Sequence, residues 1–158
     1  MKKIITKIFL LIFLVMPTSC GFKVLNEFEE NNFTINDVQT TGDKRINFKI
    51  KNNLLTYSKK DGQNVLLLNL DSNKIKRIKE KNIKNEITKY YISLNTEVKI
   101  NILNINANHT LSISTEGEYL VADSYSSTLN NEKKLIDDLV DNISSEIIRK
   151  IVLKLNDL

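Results

Sequence analysis

The chain has 158 residues, a formal charge of +4, one cysteine, one proline and four glycines. That length supports a single core-bearing domain, one cysteine excludes an intramolecular disulfide, and the scarcity of Pro and Gly excludes a linker of that composition between domains. Lys2, Lys3 and Lys7 supply three of the four net positives, so the rest of the chain is nearly neutral and overall charge gives no argument for nucleic acid.

The first element is a leader. The three lysines precede Ile8 to Met16 (IFLLIFLVM), an unbroken apolar run, and then Pro17-Thr18-Ser19 and Cys20. A basic start, a short apolar core and small residues at a cut make a secretory signal peptide. The run falls well short of the roughly 20 residues a spanning helix needs, so residues 1–19 are expected to be removed. A cysteine directly after small residues resembles the lipobox of bacterial lipoproteins, where that cysteine is acylated and becomes the new N-terminus; the position three before Cys20, usually Leu, is here Pro17. The other reading is an ordinary secreted protein cut near Ser19 that keeps a free thiol. Residues 20–32, including the polar stretch Lys23 to Asn32, read as a lipid-proximal tether, and residues 33–158 as the domain.

Within the domain, Phe33 to Val38 reads as a short strand closed by Thr40-Thr41-Gly42. Asp43 can cap a helix through Ser58 with Ile46, Ile50, Leu54 and Tyr57 on one stripe; Ile46, Phe48 and Ile50 also alternate as in a strand, which leaves both readings open. Val65 to Leu70 (VLLLNL) has the length of a strand and runs into a lysine-rich segment, Lys74 to Lys84, that either extends it or forms a long loop. Tyr90 to Leu103 alternates strictly, with Ile92, Leu94, Val98, Ile100 and Ile102 among the even positions, and predicts a long strand with one buried face. Ile105 to His109 suits a hairpin connection. The next strand is predicted from Thr110 to Tyr125, with Gly117 marking a bulge. From Asn130 to Leu155 the period becomes about 3.6, with Leu135, Ile136, Leu139, Val140, Ile143 and Ile147 as the first stripe and Ser127, Thr128 or Asn130 as N-cap. The predicted fold is therefore α+β, a two-layer sandwich in which about four strands, mostly antiparallel, are covered by two helices in the order β-α-β-β-β-α.

Catalytic chemistry needs nucleophiles, bases or metal ligands in constellations, and few candidates exist. His109 is the one histidine and reads as an exposed turn residue; Asp137 and Asp138 are adjacent on a helix, about 100° apart, and read as a solvated face rather than a dyad. No HExxH, GxSxG, P-loop or GxGxxG occurs. The expectation is a non-enzymatic binding or assembly protein with no metal and no cofactor. One segment suits an anion: Lys74, Lys76, Arg77, Lys79, Lys81 and Lys84 set six positives against one acid, Glu80. It reads either as a lysine-guarded sheet edge or as a ridge for phosphates, lipid head groups included. Without interleaved aromatics it lacks the stacking platform of a single-strand nucleic-acid binder.

Cys20-Gly21-Phe22, the segment Thr41 to Leu55 with its Lys51-Asn52-Asn53-Leu54, the strand start Tyr90 to Leu94, and Val121 to Tyr125 leading through Asn130 into the last helix together resemble the lipopolysaccharide-assembly lipoprotein family (LptE), as does the element order. The resemblance covers nearly all of the chain after the leader. It implies a lipoprotein anchored through Cys20 on the periplasmic side of the outer membrane. Such a protein plugs the lumen of a large β-barrel partner of LptD type, assists the assembly of that barrel, and serves the insertion of lipopolysaccharide into the outer leaflet. It also implies lipopolysaccharide binding through basic residues; the six of the lysine segment are nominated for that on charge alone. Two other readings stay open, a free periplasmic adaptor or structural lipoprotein without a barrel partner, and a lipid or cell-wall hydrolase with an unrecognised site.

Overall fold

The computed structural model describes residues 32–157; Cys20, the leader and the tether before Asn32 lie outside the described residues. The elements are β1 (Phe33–Gly42), α1 (Lys44–Thr56), β2 (Asn64–Lys81), β3 (Ile87–Ile102), β4 (Ala107–Leu120) and α2 (Tyr125–Asn156). This is the α+β order read from the sequence. The four strands form one sheet in the order β1-β2-β3-β4. β1 runs parallel to β2, which requires the crossover through α1, whereas β2–β3 and β3–β4 are antiparallel hairpins.

Alternation on β2 and β3 decides which face is covered. Leu66, Leu68 and Leu70 on β2 and Ile92, Leu94, Val98, Ile100 and Ile102 on β3 are all buried. Against them pack Ile46, Ile50 and Leu54 of α1 and Leu139, Val140, Ile143, Ile147, Ile148 and Ile151 of α2. Phe33, Ile35 and Val38 of β1 close the core at its edge. The cross-strand pair Ser72 and Thr96 also faces the helices; their hydroxyls are 2.9 Å apart and so satisfy each other inside the core.

The ambiguity over residues 43–58 resolves as helix. Phe48 is 65% exposed while Ile46 and Ile50 are buried, a pattern that alternation cannot produce. Asp43 is the N-cap: its carboxylate accepts from Arg45 N at 3.0 Å and Ile46 N at 3.1 Å, a contribution of about 1 kcal/mol. Just before it, Gly42 has φ +83 and pairs with Ser72. A Cβ there would lie 2.3 Å from the Ser72 carbonyl oxygen, so both the backbone sign and the space demand glycine.

Four boundary expectations are corrected. α2 begins at Tyr125 with Ser124 as N-cap, accepting from Ser127 N, so the expected caps Ser127, Thr128 and Asn130 are already inside the helix. β4 stops at Leu120, so Val121 to Tyr125 is the connection and the helix start. The β3–β4 turn spans 103–106 with Asn106 at φ 52, a left-handed position that Asn tolerates; His109 therefore belongs to β4, opposite Ile100. Gly117 marks no bulge, because the β3–β4 register is unbroken from Lys89↔Leu120 to Ile102↔Ala107. It is instead where α2 comes close: a Cβ would meet Leu135 Cδ1 at 2.5 Å.

The lysine-rich segment extends β2. Because β1 ends at Gly42↔Ser72, residues 73–81 of β2 have β3 on one side and no strand on the other. The segment is thus an edge within an otherwise interior strand. Register shifts between Ile78 and Lys81 bend it toward the 82–86 turn.

Candidate functional site

The six nominated cations do not share one face. Alternation places Lys74 and Lys76 on the helix-covered side, two and four residues beyond Ser72. Arg77 pairs with Tyr91 on the uncovered side. Lys79 is 3.6 Å from Glu118, which also pairs with Tyr91, so it lies on the uncovered side as well. Lys81 and Lys84 sit at the turn, where Lys81 donates to Asn85 Oδ1.

Lys76 is engaged in structure. Its ammonium donates to Glu132 of α2 at 2.7 Å and lies 4.3 Å from the centre of the Tyr90 ring and 5.3 Å from that of Tyr119. The two rings stack at 5.5 Å, and Tyr119 donates its hydroxyl to the same Glu132 oxygen at 2.9 Å. Partial burial works to raise the pKa of the Glu132 carboxyl, but the hydrogen bonds from Lys76 and Tyr119 outweigh it and leave it below the ordinary carboxylate value. For Lys76 burial works to lower the pKa; the bonds to Glu132 and Tyr119 outweigh it and the ammonium ends above its ordinary value. Both shifts stabilise the charged pair. The Glu132 contribution is complete above its ordinary value of 4.5 and is lost as pH falls through its lowered value; the Lys76 contribution is complete below its ordinary value of 10.5 and is lost as pH rises through its raised one. Glu132→Gln is accordingly expected to cost on the order of 1 kcal/mol at pH 7, because Lys76 is 37% exposed and water screens the pair. Urea melts at several pH values should show the gap to wild type shrinking below about pH 4.5.

The uncovered sheet face is polar throughout its middle. Its cross-strand rows read Gln39, Asn69, Lys99 and Thr110; then Thr41, Asp71, Glu97 and Ser112; then Asn73, Asn95 and Ser114. Lys99 is 3.4 Å from Glu97, and Ser114 donates to Asn95 at 2.7 Å. Toward the turn the charges also balance, with Lys89 3.1 Å from Glu80 and 3.4 Å from Glu118, and Tyr91 hydrogen-bonded to Glu116. A shallow trough of about 380 Å³ crosses the face over Asp37, Gln39, Asn69, Lys99, Asn101, Asn108, His109 and Thr110, with Leu67, Leu68 and Ile100 also in its lining, and the Asn101 Oδ1 there is buried without a partner. Among the described residues nothing packs on this face.

His109 is half-buried and its Nε2 is unpartnered, which corrects the expectation of an exposed turn residue; it lines the same trough as Asp37 and Thr110. Asp137 forms an ion pair with Lys49 of α1, while Asp138 is exposed, so the two carboxylates do different things and do not form a dyad. Among the described residues no three His, Cys, Asp or Glu side chains converge as a metal site, and no helix is long and apolar enough to cross a membrane.

A one-sided sandwich of this order is shared with bacterial lipoproteins of known structure. The crystal structure of rare lipoprotein B from Shewanella oneidensis aligns with a TM-score of 0.59 at 12% identity over 77% of this chain and 98% of that one. The solution structure of a lipoprotein B from Nitrosomonas europaea gives 0.53 at 12% identity, covering 78% and 86%. A minor lipoprotein from Acinetobacter baumannii gives 0.54 at 10% identity, covering 78% and 94%. At such identities the likeness is one of fold. No protein-family profile matches the chain, and no curated protein matches it in sequence.

Proposed function

We propose that this protein is an outer-membrane lipoprotein of LptE type. In this reading residues 1–19 are removed, Cys20 carries the lipid, residues 20–32 are the tether, and the domain sits from the periplasmic side in the polar lumen of an LptD-like barrel whose assembly it assists for lipopolysaccharide insertion. The role is one of binding and assembly rather than catalysis. The observation that carries it is the uncovered sheet face: amides, hydroxyls and paired charges, with few apolar side chains, are what a barrel's hydrophilic interior can meet without stranding a charge. The leader ending at Cys20 and the fold shared with lipoproteins support the same reading. Arg77, Lys79, Lys81 and Lys84, at the far end of β2 and its turn, remain the candidates for lipopolysaccharide phosphates, together with Lys74 and, less freely, Lys76.

Purification of the tagged protein from detergent-solubilised outer membranes tests this. A β-barrel should co-purify, and Asn69→Arg with Ser112→Arg, both exposed on the open face, should abolish its recovery without changing the melting temperature. A protein that purifies with no barrel overturns the plug and leaves a free periplasmic lipoprotein. Anchoring is tested separately. Wild type should incorporate labelled palmitate and fractionate with membranes, and Cys20→Ala should do neither, since stable attachment takes at least two hydrophobic signals.

A further inference from the structure

We propose that the cleft between the starts of α1 and α2 binds a phosphate monoester carried on a short apolar stem. The site is distinct from the open sheet face, and the inference stands whether or not a barrel partner engages that face.

The cleft arises where β1 stops. Asp43 N donates to the Ser72 carbonyl at 2.7 Å, which pins the first turn of α1 beside β2. The next helix-facing position on β2 is Lys74. α2 is held alongside by the Lys76–Glu132 contact and by the Lys49–Asp137 ion pair. Between these attachments the helices leave a cleft of about 400 Å³ whose apolar wall is Ile46, Leu129 and Ile136. Leu129 is 45% exposed, more than core packing requires.

Its charges are unbalanced in a particular way. The lining holds four cations, Arg45, Lys49, Lys74 and Lys133, and two acids, Asp43 and Glu132. Both acids are occupied: Asp43 accepts from the α1 amides, and Glu132 accepts from Lys76 and Tyr119. Lys49 is taken by Asp137. Arg45, Lys74 and Lys133, from three different elements, form no ion pair among the described residues, and Lys74 is half-buried. Arg45 also lies in the first turn of α1, where a cation opposes the helix dipole; the only acid at that helix end is the Asp43 cap, which is engaged with the Arg45 and Ile46 amides. A half-buried lysine and a badly placed arginine facing one apolar cleft are costs that a bound anion removes. Four cations against two acids leave the lining with a surplus of two positives, which matches a doubly charged phosphate better than a singly charged carboxylate, and Ile46, Leu129 and Ile136 give its stem an apolar surface. The volume lies at the lower end of small-molecule sites, which suits one headgroup and the beginning of one chain.

Hexyl phosphate is the probe, titrated by calorimetry into the purified protein held in a neutral maltoside detergent. It should bind at least tenfold more tightly than inorganic phosphate, hexanol or hexanoate. The triple variant Arg45→Gln, Lys74→Gln, Lys133→Gln should lose at least tenfold in affinity, whereas Lys60→Gln with Lys154→Gln, both exposed and outside the cleft, should bind as wild type. Leu129→Ser, at a partly exposed position that the fold tolerates, should weaken hexyl phosphate and leave inorganic phosphate unchanged; thermal melts confirm that each variant is folded. Equal binding of hexanoate overturns the phosphate assignment, and undiminished binding by the folded cleft triple overturns the site.

Discussion

Ile147→Asp is expected to abolish folding. Ile147 is 0% exposed, one helical turn from the equally buried Ile143 and beside Ile148, in the stretch of α2 that is buried in the core. The substitution removes a branched side chain from a filled site, which costs about 2–5 kcal/mol, and puts in its place a carboxylate with no cation to meet it, which costs several kcal/mol more. The sum reaches the whole stability of a typical domain, about 5–15 kcal/mol. Circular dichroism should show no cooperative melt and the protein should collect in the insoluble fraction. Asp138→Lys, on the exposed side of the same helix, should shift stability by less than about 0.5 kcal/mol. Its neighbour Asp137 is a poor control, because it holds Lys49 of α1.

Periodicity made the core legible wherever one face is dry and the other wet. The even residues of β3 and the stripe of α2 were readable for that reason, and so was the order of elements. Residues 46–50 were not, because Ile46, Phe48 and Ile50 satisfy both periods; what settles them is that Phe48 faces water on a helix capped by Asp43. The segment 73–81 carries no apolar alternation, and it is a strand because β3 pairs with it through Ile78↔Tyr90 and on to Lys81↔Ile87. That pairing is a tertiary fact that no local pattern records. Pairing does the same to a charge run: alternation along β2 and the 82–86 turn divide six consecutive-looking cations between two faces and a tip. Lys76 is withdrawn from the run by Glu132, 56 residues away. Arg45 and Lys133 meet Lys74 only because β1 stops at Gly42, opposite Ser72, and α1 starts just after it. Cys20 is the opposite case. The lipid attachment proposed for it rests on position alone, directly after Pro17-Thr18-Ser19 and the apolar run, and on no fold.

The connection from α1 to β2 sets the second large effect, Gly62→Ala. Residues 58–63 are clamped onto the start of β1. Lys59 N donates to the Phe33 carbonyl at 3.0 Å, Ile35 N to Ser58 Oγ at 2.8 Å, Gly62 N to Thr34 Oγ1 at 2.9 Å, and Thr34 Oγ1 in turn to the Lys59 carbonyl at 2.9 Å. A Cβ on Gly62 would lie 2.2 Å from the Phe33 carbonyl carbon and 2.5 Å from Thr34 N. Both are backbone atoms, so no rotamer change relieves the overlap. Either the connection lifts and gives up those bonds, or β1 shifts and draws the fully buried Phe33 out of the core. The expected loss is about 2–4 kcal/mol, a fall in melting temperature of roughly 10 °C or more for a domain of this size. Gly117→Ala separates this mechanism from mere crowding. The clash there is with a terminal methyl of Leu135, which can rotate away, so its cost should be about 1 kcal/mol or less. Comparable losses in the two variants would mean that the clamp on β1 contributes nothing special. A selective loss at Gly62 also bears on the proposed anchoring, because β1 follows directly in the chain on residues 20–32, the proposed tether. Hydrogen exchange should then quicken first at Thr34 and Ile35, so that the start of β1 opens before the core over β3 does.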